Sequence, residues 1–488
     1  MEEKKTLFDF LYQILHHQIV SGYLKYKTAL PSANSLCEMY HVGIRTVRDV
    51  LAALKAEGLI QTEERKSAVV IYRHPDLTDG LAAGFVLERK RSILEAYETL
   101  TLLFPPILAF SAQHGDRRNI GRQMQKIKHA KTLTADGRSE AYPVLLYSLL
   151  ERTNNLLLND LYISLELFIR IPFSFVEKPS VAMRSACSYA KKAEGLIEAL
   201  EKQDTKGIET FFKTLFQLTG KAAKEYLEEL EDGHPNVEED EESVYCWIAE
   251  RGRDHYYTQI VRDLIDKIGL GIYPDRTFLP SEAVLASQYG VSVSTVRKAL
   301  AMLNELGFGR TYNAKGTMVL LSDDQATLQC MKNKTYRRDT LLYLSGLQLL
   351  AFAIRPAARL AFERIGREQQ AALWHMLQQS DSIPLNLMVD CILDNLTLRP
   401  LKTIIQQTAK LLHWGYYFSF FDEKQKKDDI LYPMSMEAFH ALEAGDRDGF
   451  AEKLSGCYCH ILTFVREFMI QCGLPEAERL LIPVFDVL

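Results

Sequence analysis

Two small clusters of hydroxyl and cationic residues carry the chemistry that this sequence suggests. One is Ser292, Ser294, Thr295, Arg297 and Lys298, with Lys315 and Gly316 further on. The other is Arg45, Thr46 and Arg48, with Arg65 and Lys66 further on. Short hydroxyls and cations in the first turns of a helix suit phosphates and base edges in the major groove of a DNA duplex. No nucleophile–base set and no phosphate-cradling loop accompanies them, so an enzyme is not expected. The nearest approach to a metal motif is Cys457-Tyr458-Cys459-His460. It lacks the second Cys or His pair that a structural zinc site needs, and neither metal nor cofactor is expected.

The elements that must position these side chains occur twice. Leu279-Pro280-Ser281, Val291, Thr295-Val296-Arg297, Leu303, Gly307 and Lys315 lie 249 positions after Leu30-Pro31-Ser32, Val42, Thr46-Val47-Arg48, Leu54, Gly58 and Lys66. The pairing holds without a gap through Gly22/Gly271, Tyr40/Tyr289 and Leu51/Leu300. A fixed interval over such a stretch is an internal repeat. In the later copy, Pro280-Ser281 predicts a helix start, since a serine hydroxyl accepts an orphan backbone N–H. Val284, Leu285 and Tyr289 give that helix an inner face, and Gly290 ends it. Ser292 or Ser294 caps the next helix. Val293, Val296, Leu300 and Leu303 share its buried stripe, which turns Ser294, Thr295, Arg297 and Lys298 outward. Gly307 stops that helix, and Phe308 to Val319 alternates like a hairpin with Lys315-Gly316 at its tip, a wing.

The earlier copy predicts helices over 7–20, 32–40 and 43–56. Its turn, Val42-Gly43-Ile44-Arg45, exchanges a hydroxyl for an arginine, and its wing, Arg65-Lys66-Ser67-Ala68, has no glycine. A tip without glycine cannot bring backbone as close to a phosphate.

Both copies resemble the winged helix-turn-helix of the GntR family of bacterial transcription regulators. The resemblance rests on Ile19-Val20-Ser21-Gly22 and Ile268-Gly269-Leu270-Gly271, then Leu-Pro-Ser, a Thr-Val-Arg step, a helix ending in glycine and the wing. It implies a regulator that binds double-stranded DNA. The arginine often found just past Leu-Pro-Ser is missing, with Asn34 and Ala283 near its place.

The remainder reads as helix, with no sustained alternation at period two. Leu81 to Leu103 is amphipathic, and Pro105-Pro106 kinks or breaks the run before Ile107 to Ala112 continues it. Asn154-Asn155-Leu156-Leu157-Leu158 and Leu196 to Asp204 follow, answered in the later half by Leu396 to Leu401 and by Phe439 to Asp446. This order resembles the helical effector domain of the FadR branch of the family. Glu228 to Glu242 is acidic and reads as a solvated linker. The expected organisation is therefore mainly α, in four domains: winged helices at 1–74 and 243–322, with all-helical bundles at 78–230 and 335–488.

Many effector domains of the FadR branch hold a metal with one Asp and three His. The first half has no His between His129 and His234; in the second, Asp390 and Asp394 lie near one expected place, while His440 and His460 do not fit the others. Thr101 and Ala351 stand where a ligand-facing arginine would be, with Arg355 and Arg359 as replacements or as surface ion-pair partners. The aromatics Tyr416-Tyr417-Phe418 and Phe420-Phe421 read as core or interface rather than a pocket wall.

Totals bound the rest. At 488 residues and 47% apolar, the chain is long enough for several cores. Eight scattered cysteines fit a reduced, cytoplasmic protein, and no bilayer-spanning or secretory segment is expected. Net charge is −5, so DNA affinity must come from placed cations. Two modules in one chain imply an intrachain pseudo-dimer, with further homodimers open, and unequal reading turns imply unequal half-sites. A small organic acid or acyl-CoA is the expected class of effector. The alternative is a protein-interaction scaffold with degenerate DNA modules.

Overall fold

Ser281 opens a helix as expected: its hydroxyl accepts the backbone N–H of Val284. The helix covers Glu282–Tyr289 and closes on Gly290 at φ 62°, the left-handed conformation that glycine adopts without a Cβ clash. Ser292, rather than Ser294, caps the next helix, Val293–Glu305, by accepting from the N–H of Thr295. Val296, Leu300 and Leu303 are buried on its stripe, joined by Ala299 and Met302. Val284 departs from expectation and is 46% exposed, because Leu285 and Ala286 supply the inner face.

The computed structural model describes residues 26–40, 43–63, 66–73, 81–113, 141–169, 181–191, 194–249, 256–269, 271–320, 332–379, 384–414 and 430–483, with positions 8, 11, 12, 15, 16, 19 and 24 before them. Among these it is mainly helical, and its strands form two two-stranded antiparallel hairpins. The interval of 249 recurs in the backbone. Ile60 pairs with Val70 and Gly309 with Val319. Ala29 bridges Val69 as Phe278 bridges Met318. Lys27 and Arg276 take left-handed φ values of 67° and 60°, and Gly58 and Gly307 take 73° and 83°.

The helices pack into two compact units. One holds 1–105, 116–146 and 162–253; the other holds 106–115, 147–161 and 254–488. The expected helical block 78–230 is thus divided between them. In the second unit, Phe110 lies 5.4 Å from Phe352, ring centre to ring centre. There too Asn155 is buried and donates to the carbonyl of Ser345 and to Oε1 of Gln348. A buried amide demands partners, and this one finds them on the long helix Lys334–Phe362.

Other expectations need correction. Pro105-Pro106 does not break its helix, which runs through Lys90–Gln113; the break falls earlier, at Glu88-Arg89. A proline inside a helix costs about 3 kcal/mol. Phe104, Ile107 and Leu108 are fully buried beside it, and each such side chain returns about 1.5–3 kcal/mol. Lys90–Gln113 and Tyr336–Phe362 are long and apolar enough to cross a bilayer by length and composition alone, a test that the buried core helix of a globular protein also passes. Their most apolar stretches are 67% and 78% buried within the structure.

The acidic run is not all linker, since Glu228 to Gly233 ends the helix Thr205–Gly233, and Glu231 meets Lys90 at 2.6 Å. Tyr245 and Trp247, at 2% and 0% exposure, are core residues of the first unit. The segment 243–249 therefore packs with that unit rather than with the winged helix that follows it.

The later bundle echoes the earlier one locally. Asp204 and Asp446, 242 apart, cap Thr205–Gly233 and Arg447–Gln471 by accepting from the N–H groups of Gly207 and Gly449. The residues before them, Gln203 and Gly445, share the left-handed conformation at φ 55° and 76°.

Candidate nucleic-acid interface

In the later winged helix the hydroxyls gather at the start of Val293–Glu305. Ser292 Oγ lies 2.8 Å from Ser294 Oγ and 2.9 Å from Thr295 Oγ1. Ser292 and Ser294 are exposed, Thr295 is half-buried, and Arg297 and Lys298 project into solvent one turn on. The first turn of a helix carries unsatisfied N–H groups and partial positive charge, so these donors and cations form an anion-seeking edge. Lys298 makes no ion pair or side-chain hydrogen bond among the described residues. Arg297 is held by Glu282, Nε to Oε2 at 2.7 Å, yet 68% of its side chain stays exposed. Sequence reasoning missed Glu282, because nothing in a 15-residue separation marks the two as neighbours.

The hairpin Gly309–Tyr312 with Gly316–Val319 carries the wing, paired at Gly309↔Val319, Arg310↔Met318, Thr311↔Thr317 and Tyr312↔Gly316. Gly316 sits at φ 102°, which only glycine enters readily. Lys315 is exposed, and its N–H bonds the carbonyl of Tyr312, closing the turn. Phe278 and Tyr312, 47% and 37% exposed, meet edge to face beside it, with Arg310 over the Tyr312 ring.

The earlier copy has the same frame with different chemistry. Positions 8, 11, 12, 15, 16 and 19 are helical, and Leu11, Leu15 and Ile19 join Val47, Val50 and Leu54 in one core. Gly43 precedes the helix Ile44–Ala56 without any side-chain cap. The serine hydroxyl of the later copy has no counterpart there. Arg45 and Arg48 are exposed and Thr46 is half-buried. Arg48 corresponds to Arg297, but the counterpart of Glu282 is Ala33, and Arg48 has no ion-pair partner among the described residues. At the wing, Lys66 meets Glu63 at 2.7 Å, both side chains well exposed, and its ammonium holds the Glu63 carboxyl below its ordinary range. Arg65 lies outside the described residues.

The helical bundles settle several side chains. Arg355 and Arg359 both meet Glu452, and Arg359 also meets Asp448 at 2.6 Å, so they act as ion-pair partners. Asp390 and Asp394 are exposed. Burial pushes the Cys457 and Cys459 thiols up to about 11 and about 12, away from the thiolate a metal binds. Among the described residues, no three His, Cys, Asp or Glu side chains gather as a metal would need. The aromatics at 416–421 lie outside the described residues.

Helix, turn, second helix and two-stranded wing, present twice, make these two regions winged helix-turn-helix domains. Each matches the family of bacterial regulatory proteins named gntR, at residues 7–70 and 256–319. The HTH-type transcriptional regulator TreR of Bacillus subtilis (strain 168) is 41% identical over 64 residues, 13% of this chain and 27% of TreR. The match therefore spans about a quarter of that relative's length. Among solved structures, E. coli McbR/YncC is 16% identical, with 44% of this chain and 100% of that one covered, at TM-score 0.23. Streptococcus agalactiae GntR is 20% identical, with 43% and 99% covered, at TM-score 0.19.

Proposed function

We propose that this chain is a DNA-binding transcription regulator, repressor-like and cytoplasmic. Its two gntR-type modules read two unequal half-sites of double-stranded DNA. Each reading helix enters a major groove through its first turns, and each wing touches the flanking backbone. The observation that carries this is the recurrence, at an interval of 249, of an exposed hydroxyl or cationic helix start above one buried apolar stripe. The contacts are assigned to Arg45, Thr46, Arg48, Arg65 and Lys66 in one module. In the other they are Ser292, Ser294, Thr295, Arg297, Lys298, Lys315 and Gly316. One chain serves as its own pseudo-dimer, and the FadR-like bundles, a second copy of one plan, answer to a small organic acid or acyl-CoA. A selection from genomic fragments followed by footprinting tests the reading. The expected footprint is asymmetric, and Arg45→Ala relaxes it on one side only. A symmetric site indifferent to Arg45→Ala overturns it.

One observation favours a second reading for the first module alone. Its wing cation Lys66 is matched by Glu63, and its reading helix lacks a cap. Such a module suits a protein partner better than a duplex. Gel shifts across salt separate the two: loss of every first-module cation would then leave the salt slope unchanged.

A further inference from the structure

Near the end of the later reading helix, the side-chain amide of Asn304 donates to Thr311 Oγ1 at 2.7 Å. Thr311 shares a second hydroxyl bond with Thr317 at 2.8 Å, directly across the hairpin. Thr317 is 3% exposed. The Asn304 carbonyl oxygen is buried, and a Cβ at Gly309 would come within 3.0 Å of it and of Thr317 Cγ2. Helix and wing thus meet with no room for a side chain between them. The earlier module has Lys55, Thr62, Ala68 and Ile60 at the corresponding positions. Ala68 offers no hydroxyl to Thr62. Its hairpin pairs only at Ile60↔Val70 and Gln61↔Val69 among the described residues.

We propose that Asn304, Thr311 and Thr317 are positioning residues that fix the second wing against its reading helix, so that Lys315 meets the DNA backbone from a preset place. The first module has no such fixture. This rests on the DNA-binding reading above. A contact that is preorganised loses less freedom on binding than one that must be ordered, so the same cation contributes more.

The test uses the full chain and a duplex it selects, with affinity measured by fluorescence anisotropy across a salt series. Lys315→Ala should lower the slope of log affinity against log salt by about 1 in the native background. In Asn304→Ala and Thr311→Val backgrounds, Lys315→Ala should lower it by less than half as much. Thr311→Ser, which keeps the hydroxyl, should restore the full drop. Circular dichroism checks that each variant folds, and Thr311→Val is the milder change because Thr311 is exposed. An equal drop in every background overturns the positioning role. An Arg297→Ala/Lys298→Ala double variant separates the two levels. If it leaves affinity untouched, the DNA reading of this module falls and the positioning role with it. If it weakens binding while the Lys315→Ala drop stays equal throughout, only the positioning role falls.

Discussion

At the scale of residues, the contrast between Arg48 and Arg297 decides what each can offer a duplex. Arg297 must release Glu282 or share it, whereas Arg48 has no ion-pair partner among the described residues. An exposed ion pair is worth about 0.2–1 kcal/mol. Glu282→Gln should therefore tighten DNA binding by a few-fold at low salt, as anisotropy titration would record. Weaker binding would mean that Glu282 aims Arg297 rather than restraining it. Gly316 makes a second point. At φ 102° any side chain is strained, so Gly316→Ala should cost about 1–3 kcal/mol, read as a lower thermal midpoint. These local features were largely legible in the sequence. Ser281 and Ser292 cap helix starts, and Gly290 and Gly307 accept the left-handed φ at helix ends, so each marks a boundary locally. Glu282 beside Arg297 was not legible, because ion pairs between helices depend on how the helices cross.

At the scale of elements, the later module is joined to the helix behind it by charge. Arg262, on Tyr256–Gly269, makes two hydrogen bonds to Asp339 on Lys334–Phe362, at 3.1 and 2.8 Å. The two side chains are 14% and 6% exposed. Removing one partner from such a pair leaves a desolvated charge, and Arg262→Ala should cost about 3–5 kcal/mol in chemical denaturation. An apolar replacement of both partners should cost far less. The helix ends follow sequence rules: Asp204 and Asp446 accept from the third N–H on, and Asp446→Ala should lower stability by about 1 kcal/mol. Helix interiors were harder to read. Pro105 and Pro106 signal a break locally, but the buried Phe104, Ile107 and Leu108 around them outweigh it.

At the scale of the whole molecule, the order of the sequence is not the order of packing. Residues 106–115 and 147–161 belong to the same compact unit as 254–488. That could not be read from periodicity, which says that a helix has an apolar face but not which neighbour covers it. Phe110 on Phe352 and Asn155 on Gln348 make the dependence concrete. A fragment of residues 254–488 should expose apolar surface and bind a hydrophobic dye, and a chain that also carries 106–115 and 147–161 through the intervening residues should bind less of it. A cleanly folded short fragment would refute this.

Finally, the two reading helices differ in kind, one opening on Gly43 and arginine, the other on Ser292 and its hydroxyls. In an assembly of identical subunits, a single codon change alters both recognition surfaces simultaneously. On the reading proposed above, each surface here has its own codons, so a change in one toward a new target would leave the other unaltered.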